Sequence, residues 1–192
     1  MTIAELLNSA QKSNLRSEME IYLSYLLETD RSALIREKND TIPVEKMSAL
    51  QKAWLKILDG YPVAYLTGKK EFFGIPFYVN EDVLIPRPET EHLVNYALNC
   101  ADVLKGRGIR DIKILEIGTG SGAISAAIKS ADRHLKVTAT DVSEKALKVA
   151  EKNFRDLNLE INIFQSDLLD KILDGSFNIL VANLPYIGEV EN

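Results

Sequence analysis

Apolar residues recur three and four positions apart through residues 1–70, which is the spacing of amphipathic helices. Thr2 and Glu5 form a capping-box pattern at the start of a first helix, and Ser17 is the predicted cap of a second. A longer helix is predicted to begin at Pro43. Its predicted apolar face consists of Met47, Leu50, Trp54, Leu55 and Leu58. This part of the chain is therefore predicted to form a small all-α domain.

The pattern changes from helical to strand-like at Glu71, where aromatic and β-branched residues become frequent. Residues 72–79 contain Gly74 and Pro76, which favour a turn and an edge position. We therefore predict a β-hairpin here, and we expect residues 71–86 to link two domains.

Pro86 and Pro88 hold the chain extended on both sides of Arg87, and a helix is predicted to begin at Pro88. An arginine beside the carboxylates of Glu89 and Glu91 is unusual in a dry joint between domains. We therefore expect this segment to face a ligand cleft, although the residue types fit a solvated linker equally well.

Short apolar runs alternate with helical patterns from residue 87 to residue 192, which is typical of a parallel sheet covered by helices. The carboxyl ends of parallel strands meet at one edge of the sheet, where such sheets bind ligands. The predicted fold class of this part is α/β and Rossmann-like. Its predicted strands are residues 112–117, 136–141, 161–165 and 177–182.

A glycine loop, residues 118–122, follows the first of these strands and precedes a predicted helix. Its glycines let backbone amides approach a ligand closely, and the helix N-terminus adds a partial positive charge. Glu116 favours a cofactor with an ammonium and a sulfonium, such as S-adenosylmethionine, over a pyrophosphate. The loop also fits the dinucleotide fingerprint, so a nicotinamide-dependent dehydrogenase remains an alternative.

Two further strand ends carry residues suited to ribose and adenine. Asp141 follows the second strand and is expected to accept hydrogen bonds from both ribose hydroxyls. After the third strand, Asp167 is expected to accept from the exocyclic amine of adenine while Leu168 packs on the ring. The predicted cofactor-binding set is Glu116, Gly118, Thr119, Gly120, Ser121, Gly122, Asp141, Asp167, Leu168 and Asn183.

The Asn-Leu-Pro-Tyr motif, residues 183–186, follows the fourth strand and is the predicted catalytic set. These residue types suit methylation of a planar NH₂ group. The side-chain carbonyl of Asn183 and the backbone carbonyl of Leu184 would accept its two hydrogens, Pro185 would stiffen the turn, and Tyr186 would stack on the flat group. No strong general base is needed because a sulfonium is a good leaving group. By itself the motif also fits an ordinary turn.

Composition narrows the expected partners. The chain has 23 basic and 28 acidic residues, a net charge of −5, which argues against a protein held to nucleic acid mainly by phosphate contacts. Its single cysteine, Cys100, cannot form an internal disulfide and has no metal-ligand spacing around it, which favours a reducing compartment and no metal site. No run approaches the ~20 apolar residues of a membrane span. A cytoplasmic protein without a membrane partner is therefore expected.

These motifs together resemble the peptide-chain-release-factor glutamine methyltransferases of the HemK/PrmC family, over nearly the whole chain. The resemblance is most specific in residues 79–91, which end in Ile-Pro-Arg-Pro-Glu-Thr-Glu. It implies methyl transfer from S-adenosylmethionine to the glutamine side-chain amide in the Gly-Gly-Gln motif of class 1 release factors, with S-adenosylhomocysteine as product. It also implies a helical domain that recognises release factors (residues 1–70), a hairpin linker (71–86) and a class I methyltransferase domain (87–192).

Two departures from the family pattern keep alternatives open. The family usually has Asn-Pro-Pro-Tyr, whereas Leu184 is the second residue here, and the Asn-Leu-Pro-Tyr form is similar to that of ribosomal RNA adenine dimethylases. Adenine-N6 methylation of RNA or DNA is therefore an alternative, against which the negative charge counts. A class I sheet normally continues past its fourth strand, so the chain is expected to be truncated, with that strand as an exposed edge. A non-catalytic fragment that binds cofactor or partner is the remaining alternative.

Overall fold

The computed structural model describes residues 1–172 and 177–184. The chain divides into two compact units, Met1–Gly68 and Lys69–Asn192. The boundary lies within two residues of the one predicted from the change of hydrophobic pattern. In the described part of the chain, no helix has both the length and the apolar character needed to cross a membrane.

The first unit is all-α, as predicted. Its core contains Leu6, Met19, Leu23, Leu50 and Ile57, all of which are almost fully buried. Helical spacing places one apolar face of each long helix toward this core. The helices are α1 (Ile3–Lys12), α2 (Arg16–Leu26), α3 (Arg31–Arg36), α4 (Val44–Leu58) and α5 (Val63–Thr67).

The capping box of α1 is confirmed. The amide of Glu5 donates to Thr2 Oγ1 at 3.2 Å, and the amide of Thr2 donates to Glu5 Oε2 at 2.8 Å. The predicted cap of α2 is wrong, because this helix begins at Arg16 and its cap is Leu15. Leu15 packs against the core of the unit, so tertiary packing sets the start of this helix in place of a side-chain cap.

The predicted apolar face of α4 is only partly correct. Leu50 is buried, but Leu55 is 63% exposed and Leu58 is 46% exposed. The helix buries Leu50, Ala53 and Ile57 instead. These three residues lie three, four and seven positions apart, so they form one narrow stripe, and the two leucines lie outside it.

The second unit begins with a hairpin of β1 (Lys69–Phe72) and β2 (Ile75–Tyr78), which pair in antiparallel register. The hairpin starts two residues before the predicted position. The rings of Phe72 and Phe77 pack edge to face, with centroids 6.3 Å apart, inside the core of this unit. The hairpin therefore belongs to the second unit by its packing.

A four-stranded parallel sheet forms the centre of the second unit, with strand order β5-β4-β3-β6. All four carboxyl ends consequently lie at one edge, and the predicted α/β fold class is confirmed. In the described sheet β6 is an outer strand, and its Leu180 is 53% exposed. The strands are β3 (Lys113–Ile117), β4 (Lys136–Asp141), β5 (Asn162–Gln165) and β6 (Ile179–Ala182).

Three helices cover this sheet through small and branched apolar side chains. They are α6 (Glu91–Gly106), which follows a 3₁₀ turn at Pro88–Thr90, α7 (Ala123–Ala131) and α8 (Glu144–Asp156). Ser143 caps α8 as predicted, with its hydroxyl accepting from the amide of Ala146 at 3.3 Å. The resulting core fixes the loops at the strand ends, where the candidate site lies.

Candidate active site

The glycine loop is shaped by close packing as well as by its backbone angles. A Cβ atom at Gly118 would lie 2.5 Å from Cδ2 of Leu184, and one at Gly122 would lie 2.5 Å from Cε1 of Phe154. Both glycines also have positive φ values, 70° and 79°. Gly122 thus serves the packing of α7 against α8, and it does not line the cleft described below.

The backbone amides of the loop are largely engaged within the protein. The amide of Thr119 donates to the carbonyl of Thr140 at 2.9 Å, and that of Gly122 donates to the carbonyl of Thr119 at 2.9 Å. The amide of Gly120 donates to Oδ2 of Asp141, also at 2.9 Å. These three amides therefore hold the shape of the loop, and the approach of loop amides to a ligand stays a prediction.

Glu116, at the end of β3, is 1% exposed and lines the cleft. Its Oε2 accepts from Thr119 Oγ1 at 2.7 Å, from the amide of Ser125 at 3.0 Å and from the hydroxyl of Ser125. Burial raises the pKa of this carboxyl to about 7, the hydrogen bonds from Ser125 and Thr119 oppose the shift, and the charge of Asp141 adds to it. Within the described part of the chain no cation pairs with Glu116.

Asp141 connects the glycine loop to the start of α8. Its Oδ2 accepts from Gly120, and its Oδ1 accepts from the amide of Ser143 at 2.9 Å. Each carboxylate oxygen can accept a second hydrogen bond, so two acceptor positions remain for hydroxyl groups. The side chain is directed at the glycine loop, although it is not among the residues that line the cleft.

The structure brings Asp167 and Leu168 to the sheet edge but not into the cleft. Both side chains are exposed, and Leu168 has a φ of 43°. The turn that carries them is held to β4, since the amide of Ser166 donates to the carbonyl of Asp141 at 3.1 Å. Their predicted roles at the adenine ring stay predictions.

The first half of the Asn-Leu-Pro-Tyr motif lies beside the glycine loop. Asn183 lines the cleft, and its Nδ2 donates to Thr90 Oγ1 at 3.3 Å. Leu184 places its side chain against Gly118. Pro185 and Tyr186 lie outside the described residues. Two predicted groups are thus brought together, one at the end of β3 and one at the end of β6.

The cleft lies at the carboxyl ends of β3 and β6 and is partly open to solvent. The glycine loop, Glu116 and Asn183 form one part of its lining. Residues 84–87 and Thr90 form another, so the segment around Arg87 faces the cleft as predicted. Phe72 of the hairpin completes the lining together with Ala123 and Ile124. The described residues contain no group of three or more side chains suited to a metal ion.

Three residues of the site region were missed by sequence reasoning: Thr90, Ser125 and Asn153. Thr90 lies in the Ile-Pro-Arg-Pro-Glu-Thr-Glu segment and Ser125 lies on the first turn of α7, so neither spacing indicates its partner. Asn153 carried a usable signal, because helical spacing from Ala146 and Ala150 places this polar residue on the buried face of α8.

Comparisons with known proteins cover both units. Residues 2–68 match the family model of the PrmC N-terminal domain, and residues 101–191 match that of the methyltransferase small domain. The release factor glutamine methyltransferase of Koribacter versatilis is 37% identical over 96% of this chain and 65% of its own length. That of Flavobacterium psychrophilum is 41% identical over 71% of this chain and 48% of its own length. The chain spans less than two thirds of the length of these relatives.

Solved structures give a partial likeness. The N-terminal domain of human METTL16 in complex with SAH aligns at a TM-score of 0.48 and 22% identity, over 62% of this chain and 50% of that one. A likeness of this size says nothing about the site. The family is shown instead by the sequence matches, which are those to both family models and to relatives that share one name. The chain belongs to the family of the release factor glutamine methyltransferases.

Proposed function

We propose that the cleft binds S-adenosylmethionine and that the chain transfers its methyl group to a glutamine side-chain amide, the one in the Gly-Gly-Gln motif of class 1 release factors. One observation carries this proposal: Asn183 lines the same cleft as Glu116 and the glycine loop. A side chain suited to hold an amide group therefore lies beside residues suited to a cationic cofactor.

The residues present fit such a cofactor. Glu116 is a buried carboxyl at the cleft wall, and a positive charge in the cleft would favour its ionised form. Arg87 also lines the cleft, where it can pair with the carboxylate of the cofactor's methionine part. A Cβ at Gly120 would meet nothing within 4 Å, so the wall there leaves open space. When bound, S-adenosylmethionine supplies an electrophilic methyl group on a sulfonium.

Asn183 would orient the substrate amide. Its Nδ2 is engaged with Thr90, which leaves Oδ1 to accept one hydrogen of the glutamine NH₂ group. The backbone carbonyl of Leu184 would accept the other hydrogen. Two acceptors at a single NH₂ group fix the direction of the nitrogen lone pair, which then points at the methyl group.

We further propose that the helical domain of residues 1–70 contributes to recognition of the release factor, since residues 2–68 match the family model of the PrmC N-terminal domain. The substrate is a translation protein, so we expect the chain to act in the cytoplasm. A net charge of −5 counts against RNA as the alternative substrate.

Isothermal calorimetry with S-adenosylmethionine, followed by transfer of labelled methyl groups, tests the proposal. We expect binding by the full chain, label in a release factor, and no label when the glutamine of its Gly-Gly-Gln motif is alanine. The N183A variant should transfer no methyl group even at cofactor concentrations that saturate it. Absence of cofactor binding contradicts the proposal, and label in RNA but not in release factor would establish the adenine alternative.

A further inference from the structure

We propose that Asn153 of α8 is a positioning residue that holds the hairpin and the glycine loop at a fixed separation. Its side chain is 2% exposed and lies behind the cleft, without lining it. The inference rests on the proposed function only in taking the cleft as the cofactor site. Its geometry stands on contacts that involve no ligand.

The side-chain amide of Asn153 forms hydrogen bonds to two segments that are distant in sequence. Both hydrogens of its nitrogen are used. Its Oδ1 accepts from the amide of Tyr78 at 2.8 Å. Its Nδ2 donates to the carbonyl of Tyr78 at 2.9 Å and to the carbonyl of Ser121 at 2.8 Å. A primary amide is the side-chain group that offers one acceptor and two donors in a single plane. An aspartate, with the same shape, would place a carboxylate against two carbonyl oxygens.

Both segments held by Asn153 form walls of the cleft. Ser121 lines it directly, and β2, which carries Tyr78, pairs with β1, whose Phe72 lines it. The next residue of α8, Phe154, contacts the position next to Ser121 in the loop, at Gly122. Consecutive residues of one helix thus fix consecutive residues of the loop. Asn153 adds to this the connection to the hairpin, so it sets the distance between two parts of the wall.

Removing the side chain would leave the buried carbonyl of Ser121 and the part-buried amide and carbonyl of Tyr78 without this partner, and the loop would lose its tie to the hairpin. The test compares N153A with K152A. Lys152 is the adjacent residue of α8 and lies over the ring of Tyr78 at 5.1 Å, but nothing in the described structure joins it to the loop. K152A therefore loosens a contact between α8 and the hairpin while leaving the glycine loop alone.

The first measurement is amide hydrogen exchange by NMR without ligand. In N153A we expect exchange at Gly120 and Gly122 to be about tenfold faster than in the wild type, the factor that about 1.4 kcal/mol represents. In K152A we expect the exchange rates of these two amides to stay within about twofold of the wild-type rates. Unchanged loop exchange in N153A, or equal acceleration in K152A, overturns the proposal. If N153A does not fold, N153S is measured in the same way.

The second measurement uses S-adenosylhomocysteine and separates this inference from the proposed function. Binding to the wild type should slow exchange of the Tyr78 amide but not that of the Lys113 amide, which is held by Asn178 at the other end of the sheet. The affinity of N153A should be about tenfold lower, a loss of about 1.4 kcal/mol. Tyr78 exchange that does not respond to bound ligand contradicts the role of Asn153. A wild type that binds no ligand contradicts the proposed function, and ligand-free exchange still decides the inference.

Discussion

The side-chain nitrogen of Asn183 donates a hydrogen bond to the hydroxyl of Thr90, across 93 positions of sequence and a distance of 3.3 Å. This bond holds the side-chain nitrogen of Asn183 and leaves its carbonyl oxygen available as an acceptor. The oxygen is the atom that the proposed reaction needs. The chemistry of the Asn-Leu-Pro-Tyr motif is therefore tied to a residue at the start of α6.

The variant T90V tests this relationship, since it keeps the shape of the side chain and removes the hydroxyl. We expect methyl transfer at saturating cofactor to fall about five- to tenfold, the effect of losing a hydrogen bond worth about 1 to 1.4 kcal/mol. The affinity for S-adenosylhomocysteine should not change. The matched variant T90S keeps the hydroxyl and should keep most of the activity. Equal losses in T90V and T90S would show that the methyl group of Thr90 matters and its hydroxyl does not.

The stability of the protein should depend on the ionisation of Glu116. Its pKa is raised from 4.5 to about 7 in the folded chain, so the folded state binds more protons than the unfolded state between these values. The free energy of unfolding should therefore fall as the pH rises from 4.5 to about 7, by at most about 3 kcal/mol, and remain flat above it as far as this group is concerned. Urea unfolding across this range, compared with E116Q, isolates the contribution. A variant with the same slope as the wild type would exclude Glu116 as its source.

Cofactor binding should show the opposite dependence on pH. A cation in the cleft stabilises the ionised carboxylate, so the ligand lowers the pKa of Glu116 and releases a proton when it binds. We expect S-adenosylmethionine to bind more tightly at pH 8 than at pH 6. The difference should vanish in E116Q, which has no charge to gain. Calorimetry in buffers of different ionisation enthalpy measures the released proton, and proton release that persists in E116Q would contradict this role.

Among the glycines of the loop, we expect substitution of Gly122 to destabilise the fold most. In G122A the new methyl group would lie 2.5 Å from the ring of Phe154 and 3.1 Å from Cβ of Ala150, at a φ of 79°. We expect a loss of about 2 to 4 kcal/mol in the free energy of unfolding, from the clash and the left-handed backbone together. G74A is the matched control, with a φ of 72° and nothing within 4 Å of its Cβ. It should cost about 1 kcal/mol, and equal losses in both variants would remove the packing argument.

Much of the site could be predicted because its parts are local patterns on parallel strands. The turn after β3, the carboxylate at the end of β4 and Asn183 after β6 each follow an apolar run, and parallel strands place their carboxyl ends at one edge. What joins these parts could not be predicted. Thr90 and Asn153 act on partners 93 and 75 positions away, and nothing in local spacing specifies such pairs.

The hydrogen-bond partners of the Glu116 side chain could not be predicted from the sequence either. Its charge and position before the first glycine were informative, but its hydrogen bonds to Thr119 and Ser125 depend on how α7 leaves the loop. The apolar face of α4 also depended on context, since Leu55 and Leu58 are as hydrophobic as the residues that the helix buries. Hydrophobicity alone does not choose between two adjacent stripes of a helix; the neighbouring helices do.

The side chain of Leu184 fills the space next to Gly118, although the two residues are distant in sequence. The methyl carbon of Leu184 already occupies the place that any side chain at position 118 would need. A substitution of Gly118 would therefore meet two obstacles, the Cδ2 atom of Leu184 and a φ of 70°, which disfavours a side chain whatever space Leu184 leaves. An alignment of related sequences with a leucine at position 184 should therefore show glycine at position 118.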